Sequence, residues 1–478
     1  MTQPSLKRNF ILNTIYNILI IVIPFVTAPY IARVLGADRS GVYSYTYSIQ
    51  FYFAMFAALG TATYGIREIA RCREDKEKLS KTFWEIELLT VCTSIVMLIL
   101  WGGFILLNTD SSLQMMFIVL TGNILAVLFD ISWFYAGMER FEFIVLQNSI
   151  CKLAGVVALF LLVKGPEDLI TYTIIMVLST LCGNMSMWIY LGRFVKLVPL
   201  SKLKLLPHLK ETLIYFVPTI ATTIYSVLDK TLIGVITQDN RENGYYEYAT
   251  SILNAAKALS FVAINGVMES RSSYLFALNR AEEAKKLLHE TLEYVLFISV
   301  GMTFGICAVA GNFVPWFYGP GYDSVARLMT IMSPLVIIIG ISYSLGCQYY
   351  TPSGLRAKSA KYLIVGSIIN LILNICLIPS MGANGAAIAS VIAEIVITSF
   401  YVGFCKGFIK FKDLALILWK KILAGIIMLL ALMAIDRNMD DSLIMLVLRI
   451  VIGVIVYCLA TFVLRDQFFV KIKKWRSA

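Results

Sequence analysis

Charged side chains are scarce in this 478-residue chain. Asp, Glu, Lys and Arg make up 15% of the residues, whereas 59% are apolar and the mean hydropathy is +0.77. Soluble domains contain roughly 25% charged and 45–50% apolar residues, so this composition excludes an ordinary soluble protein. Hydrophobic stretches of about 20 residues, long enough to cross a bilayer as helices, recur along nearly the whole sequence. They predict an integral membrane protein without a soluble domain.

Groups needed for several common chemistries are also missing. The sequence has no Gly-Lys dipeptide, which excludes the phosphate-binding Walker A loop. The nine cysteines form no Cys-x-x-Cys pair and are interpreted as packing residues. Both histidines, His208 and His289, fall in predicted inner loops. We therefore expect no cofactor, no metal site beyond a possible Na⁺ ion, no histidine proton relay and no ATP-driven transport.

Fourteen apolar stretches predict about fourteen transmembrane helices. They lie at 9–32, 41–63, 84–107, 114–137, 143–163, 169–192, 213–236, 245–268, 291–317, 328–350, 362–378, 384–405, 418–435 and 442–464. Most of the 41 Lys and Arg residues fall in alternate loops. Because short cytoplasmic loops carry the excess of basic residues, this bias predicts that both termini are cytoplasmic. The net charge of +11 is then explained by topology and anionic lipid, without nucleic acid.

An internal repeat predicts two lobes. GVYSYTYSI at 41–49 and GYYEYATSI at 244–252 agree at five of nine positions, and a weaker echo relates the segments that begin at Trp133 and Gln348. Six predicted helices separate the copies each time, so both copies have the same orientation. We therefore expect an all-α polytopic fold with two six-helix lobes related by a pseudo-two-fold axis along the membrane normal, plus two extra C-terminal helices. The predicted domains are an N-lobe (1–200), a C-lobe (201–412) and a C-terminal helix pair with a basic cytoplasmic tail (413–478).

Basic side chains at membrane depth or at span ends are the candidate substrate ligands. A charge inside a span costs roughly 2.5–3.5 kcal/mol and usually faces the bundle interior or a wet cavity. Lys257 is expected to share a cavity-facing helix surface with Asn254 and Asn265. Structural salt bridges, snorkelling of long side chains and the ordinary excess of basic residues in inner loops are the alternatives. The candidates are Arg33, Arg67, Lys152, Lys230, Lys257 and Arg271.

A second set of polar side chains is the candidate site for a coupling cation. Asn370 and Asn374 are one turn apart on the eleventh predicted span, and Ser390 and Glu394 are one turn apart on the twelfth. Together with Asp229 of the stretch SVLDKTLIG, they could hold Na⁺ or a proton. Asparagine pairs in membrane helices are also ordinary interhelical contacts, and this alternative stays open.

Four segments carry a resemblance to a known family. They are ARVLGADRSGVYSYTYSI (32–49), ALGTATYGIREIAR (58–71), WFYAGMERF (133–141) and NLILNICLIPSMGANGAAIASVIAE (370–394). They resemble Wzx-type polysaccharide-transporter flippases of the multidrug/oligosaccharidyl-lipid/polysaccharide exporter superfamily. The resemblance implies two six-helix lobes around a cationic cavity. It also implies cavity or gate roles for Arg33, Arg67, Lys257 and Arg271, and a cation site that includes Asp229, Asn370 and Asn374.

The implied function is transport and not enzymatic catalysis. Such flippases move undecaprenyl-diphosphate-linked oligosaccharides, the repeat units of capsule, exopolysaccharide or O-antigen, from the inner to the outer leaflet of the bacterial plasma membrane by alternating access. The expected partners are this lipid-linked substrate, membrane lipids, and a polysaccharide polymerase with its chain-length machinery. Two alternatives remain. A cation-coupled multidrug antiporter of the same superfamily would favour an acidic cavity, and a membrane polysaccharide polymerase or ligase would carry a sizeable outer loop.

Overall fold

The computed structural model describes residues 6–108, 110–436 and 442–469. The helices of the first half are α1 (Leu6–Ala58), α2 (Thr61–Cys72), α3 (Lys76–Leu107), α4 (Ser111–Leu128), α5 (Ser132–Gly137), α6 (Phe141–Leu162), α7 (Leu169–Leu191) and α8 (Leu205–Thr237). Those of the second half are α9 (Asn240–Lys257), α10 (Ala263–Ala277), α11 (Ala281–Tyr318), α12 (Asp323–Met332), α13 (Leu335–Leu345), α14 (Arg356–Met381), α15 (Ala383–Gly403), α16 (Phe411–Asp436) and α17 (Leu443–Val463). Two short π-helical segments, Ala258–Val262 and Gly346–Tyr350, follow α9 and α13.

Eleven helical segments among the described residues are long and apolar enough to cross a membrane. The number is twelve if α12 and the segment Leu335–Tyr350, bent by 42° at their junction, form one span. The all-helical, multi-span fold class is therefore confirmed. The count of fourteen, the two-lobe symmetry and the three predicted domains stay predictions, and the end of the predicted basic tail, from residue 470, lies outside the described residues.

The longest helix, α1, contains a break at Gly36. This residue has φ 77° and ψ 171°, whereas its neighbours on both sides are helical. A positive φ of this kind is readily adopted only by glycine, because it has no Cβ. The break falls between the first two predicted spans.

The residues up to Thr231 and those from Leu232 form two compact units. In the first unit, α1, α3, α4, α6 and α7 pack together. An aromatic cluster that includes Phe83, Trp133, Phe134 and Tyr135 lies where α3, α5 and α7 meet. Its side chains are almost completely buried, so it fixes the relative positions of these helices.

In the second unit, the longest helix, α11, lies among α13, α16 and α17. Val300 of α11 packs with Ala424 and Met428 of α16 and Tyr457 of α17. Gly425 allows close approach here, because a Cβ at this position would lie 2.3 Å from a ring carbon of Phe304. The two C-terminal helices are thus built into the core of this unit.

Candidate functional site

A buried stripe on α14 carries two of the predicted polar residues. Tyr362, Gly366, Asn370, Asn374 and Ile378 recur at four-residue spacing and are all buried. Residues spaced in this way share one helix face, and α14 packs extensively against α15. The period therefore explains why both asparagines lie inside the protein.

Small residues bring α14 and α15 close together. The facing side of α15 contains Gly385, Ala386, Ala389, Ser390 and Ala393, all of them buried. A Cβ on Gly385 would lie 2.6 Å from the backbone of Leu377, closer than real Cβ atoms approach. Small residues at membrane-helix interfaces allow such close contact, and polar side chains then reach each other across it.

The structure brings three members of the predicted cation set together. The Asn374 Nδ2 donates to Asn370 Oδ1 at 3.0 Å, and Asn370 Nδ2 donates to Ser390 Oγ at 3.4 Å. Glu394, one turn beyond Ser390, is also buried. These groups supply carboxylate, amide and hydroxyl oxygens, the ligand types that hard cations prefer.

Lys257 lies at the end of α9, directly before the first π-helical segment. Its ammonium is 3.5 Å from Asn254 Oδ1, and it lies close enough to Glu394 for an electrostatic interaction. Its side chain is only partly buried. Short π-helical turns inside α-helices are frequent at functional sites, and one directly follows Lys257.

Asn254 and Asn265 do not share one environment, so this part of the sequence prediction is wrong. Asn254 is exposed, whereas Asn265 is completely buried. Asn265 donates to Ser344 Oγ at 2.9 Å and accepts from Gln348 Nε2 at 2.8 Å. The π-helical turn between the two asparagines changes the helix register and directs Asn265 into the core.

Four predicted basic residues belong to the first unit. Arg33 and Arg67 are exposed, and the Arg67 Nε lies 3.9 Å from Glu68 Oε1. Lys152 on α6 and Lys230 on α8 are partly buried. In this unit, the two lysines are therefore more buried than the two arginines.

Lys257 and Arg271 are the basic candidates of the second unit. Arg271 is exposed on α10, whereas Lys257 is partly buried. The structure thus separates three exposed arginines from three partly buried lysines.

Asp229 is buried on α8, with 5% of its surface exposed. Two residues further on, Thr231 Oγ1 lies 2.9 Å from Ser48 Oγ and 3.1 Å from the hydroxyl of Tyr52. Asp229 also interacts electrostatically with Tyr52. In SVLDKTLIG, Thr231 therefore makes a polar contact between α8 and α1, and Asp229 supplies a buried carboxyl group.

Sequence reasoning missed two buried clusters of ionisable side chains. The ammonium of Lys421 lies 2.7 Å from Glu293 Oε2 and 3.0 Å from Asp466 Oδ2. In the first unit, the His208 ring bridges the hydroxyl of Tyr64, at 2.8 Å, and Glu85 Oε2, at 2.9 Å. Each residue lies near the end of a predicted span or in a loop, where charged residues are common and do not indicate a buried cluster. A helical-wheel plot of α16, which places Lys421 on the same face as Leu414, Ala424 and Met428, could have found the first cluster.

Comparison with known proteins now identifies the family. A family model described as "Polysaccharide biosynthesis protein" matches residues 6–268, more than half of the chain. The chain belongs to this family. A curated relative from Escherichia coli (strain K12), named "Putative O-antigen transporter", is 24% identical over 411 residues, which cover 84% of this chain and 97% of the relative.

Solved structures of membrane transporters share the fold of this polysaccharide biosynthesis protein. A structure titled "Lipid II flippase MurJ, inward closed conformation" superposes with a TM-score of 0.70 and 17% identity, over 93% of this chain and 99% of that one. An inward-facing multidrug resistance MATE family transporter gives a TM-score of 0.58 and 12% identity, over 88% and 100%. The resemblance stated from the sequence is confirmed, and these two solved structures are titled as a flippase and a transporter.

Proposed function

We propose that the protein is a flippase that carries a polyprenyl-diphosphate-linked oligosaccharide from the inner to the outer leaflet of a bacterial plasma membrane. The observation that carries this proposal is the presence of partly buried lysines, above all Lys257, in the spans of a polysaccharide biosynthesis protein. Neither a diphosphate nor a glycan can cross hydrocarbon without polar partners. A partly buried ammonium group provides a favourable site for the phosphates.

The transport cycle would follow alternating access by the two predicted lobes, with both termini cytoplasmic. The basic residues would hold the diphosphate, the sugars would occupy water, and the polyprenyl tail would remain in lipid. Membrane lipids and a polysaccharide polymerase with its chain-length machinery are the proposed partners. No step of this cycle requires the protein to make or break a covalent bond.

Coupling to Na⁺ or to protons is proposed at the polar groups of α14 and α15, and the assignment of Asp229 to cation binding stays a prediction from the sequence. The contacts among Asn370, Asn374 and Ser390 support this site. Exchanging K⁺ for Na⁺ at constant ionic strength should change the transport rate of the wild type. An Asn374→Leu variant should lose this ion response while its transport in K⁺ persists.

Transfer of a fluorescent diphospho-polyprenyl oligosaccharide in proteoliposomes tests the assignment of Lys257. A charge-assisted hydrogen bond contributes roughly 1.5–3 kcal/mol, so we expect Lys257→Ala to weaken apparent affinity by about 10- to 100-fold. Lys361→Ala is the matched control, because Lys361 is an exposed lysine of the same unit. Equal transfer in the wild type and Lys257→Ala would remove Lys257 from the substrate site. Export of a cationic drug without transfer of the lipid would instead favour the multidrug antiporter, whose fold this chain shares.

A further inference from the structure

Glu87 is a buried carboxyl group of the first unit that has no hydrogen-bond partner. It lies on α3 with 1% of its surface exposed. Both of its carboxyl oxygens are buried and lack a hydrogen-bond partner. An ionised carboxylate in such surroundings is very costly, and a group in this position ordinarily takes up a proton instead.

A second carboxyl group adds to this cost. Asp130, at the break between α4 and α5, lies close enough to Glu87 for an electrostatic interaction. Its Oδ1 accepts a hydrogen bond from the backbone N–H of Ser132 at 2.9 Å, and its side chain is only partly buried. Two neighbouring carboxylates resist ionising together. Asp130 is the less buried of the two residues, and the hydrogen bond that it accepts from a backbone N–H makes it the member of the pair better able to hold a negative charge.

The other charged groups nearby are engaged elsewhere. Glu85, also on α3, accepts a hydrogen bond from the backbone N–H of Lys204 and lies 2.9 Å from His208. On α2, Glu68 pairs with an arginine of its own helix at 2.9 Å. Residues 40–58 of α1, and all of α4 and α7, carry no charged side chain. Within the described part of the chain, Asp130 is thus the one charged group that acts on Glu87.

The residues around Glu87 donate no hydrogen bond to its carboxyl group. One turn before it, Phe83 stacks on Trp133 with a centroid distance of 5.5 Å. The indole N–H of Trp133 is also buried without a hydrogen-bond partner. The carbonyl of Phe129, beside Asp130, is held by the Trp188 indole at 2.9 Å, so the break is braced by α7. A fixed, aromatic environment of this kind favours the neutral form of a carboxyl group.

We propose that Glu87 and Asp130 form a proton-binding site, in which Glu87 is the protonated carboxylic acid and Asp130 is its ionised neighbour. The site takes one proton from water and returns it to water, and no other reactant is involved. It is separate from the polar groups of α14 and α15, and it does not rest on the proposed substrate.

Infrared spectroscopy of the full-length protein in lipid nanodiscs tests the site without any substrate. At neutral pH, we expect the C=O band of a protonated carboxylic acid in the wild type and its loss in Glu87→Gln. Glu77→Gln is the matched control, because Glu77 is an exposed glutamate on the same helix, and it should keep the band. An identical band in Glu87→Gln, or none in the wild type, overturns the proposal.

A second variant keeps the test decisive if Glu87→Gln fails to fold. Asp130→Asn removes the neighbouring negative charge, so proton affinity at Glu87 should fall by about tenfold and the pH midpoint of the band by about one unit. An unchanged midpoint contradicts a shared site. Replacing K⁺ by Na⁺ at fixed pH should leave the band intact, and its loss would show that the pair binds a metal cation instead.

Discussion

Replacing Lys421 by methionine should destabilise the second unit severely. Lys421 is completely buried, and its ammonium donates to Glu293 at 2.7 Å, to Asp466 at 3.0 Å and to the carbonyl of Ile417 at 3.0 Å. These contacts join α11, α16 and the segment after α17. The ammonium therefore neutralises two carboxylates that are themselves nearly inaccessible, with 5% and 2% of their side-chain surface exposed.

The size of the effect follows from what the substitution leaves behind. Methionine fills a similar volume, so little packing is lost, but both carboxylates keep their burial and lose their counter-charge. Removing one member of a buried ion pair costs about 3–5 kcal/mol. Every 1.4 kcal/mol changes an equilibrium constant by about tenfold. The ratio of unfolded to folded protein should therefore rise by roughly 100-fold or more.

The measurement is unfolding in mixed detergent micelles, followed by tryptophan fluorescence. Lys420→Met is the matched control, because the neighbouring ammonium donates to the carbonyl of Arg465 at an exposed position. Adding Glu293→Gln and Asp466→Asn to Lys421→Met should recover much of the loss, since no buried charge then remains. If Lys421→Met and Lys420→Met unfold at the same detergent fraction, the contacts of Lys421 with Glu293 and Asp466 do not stabilise the unit.

Two further substitutions probe packing in the second unit, with the thermal unfolding midpoint as the measurement. Gly366→Val should destabilise by about 1–3 kcal/mol through overpacking, because a Cβ at Gly366 would lie 2.2 Å from Ile397 Cγ1; Gly403→Val, at an open position, should change little. Asn265→Leu should cost about 1–3 kcal/mol, because the Gln348 amide loses its acceptor in a buried site. Unchanged midpoints would show that these contacts do not limit stability.

Hydrophobic periodicity predicted the fold class well, because a bilayer allows few solutions. Every backbone polar group must be satisfied within the membrane, so long apolar stretches become helices. The buried face of α14 could also be predicted from the sequence, since Asn370 and Asn374 follow a four-residue period that also contains Gly366. Local periodicity and small residues together specify such a neighbouring pair.

Contacts that depend on tertiary packing could not be predicted in this way. The π-helical turn after Lys257 has no clear signature in the sequence, yet it decides that Asn265 faces the core. Glu87 resembles any other glutamate near the start of a span until the burial of its neighbours is known. The burial of Lys421 likewise depends on carboxylate partners that are 128 and 45 residues away in the sequence.

Movement of a lipid-linked oligosaccharide between leaflets is the function that we propose for this polysaccharide biosynthesis protein. Its most direct test is the wild-type rate at which a fluorescent diphospho-polyprenyl oligosaccharide becomes accessible to a membrane-impermeant quencher in proteoliposomes. We expect rapid, protein-dependent transfer that is inhibited by unlabelled substrate but not by a polyprenol without phosphate. A rate equal to that of protein-free liposomes, with correctly folded protein in the bilayer, would contradict it.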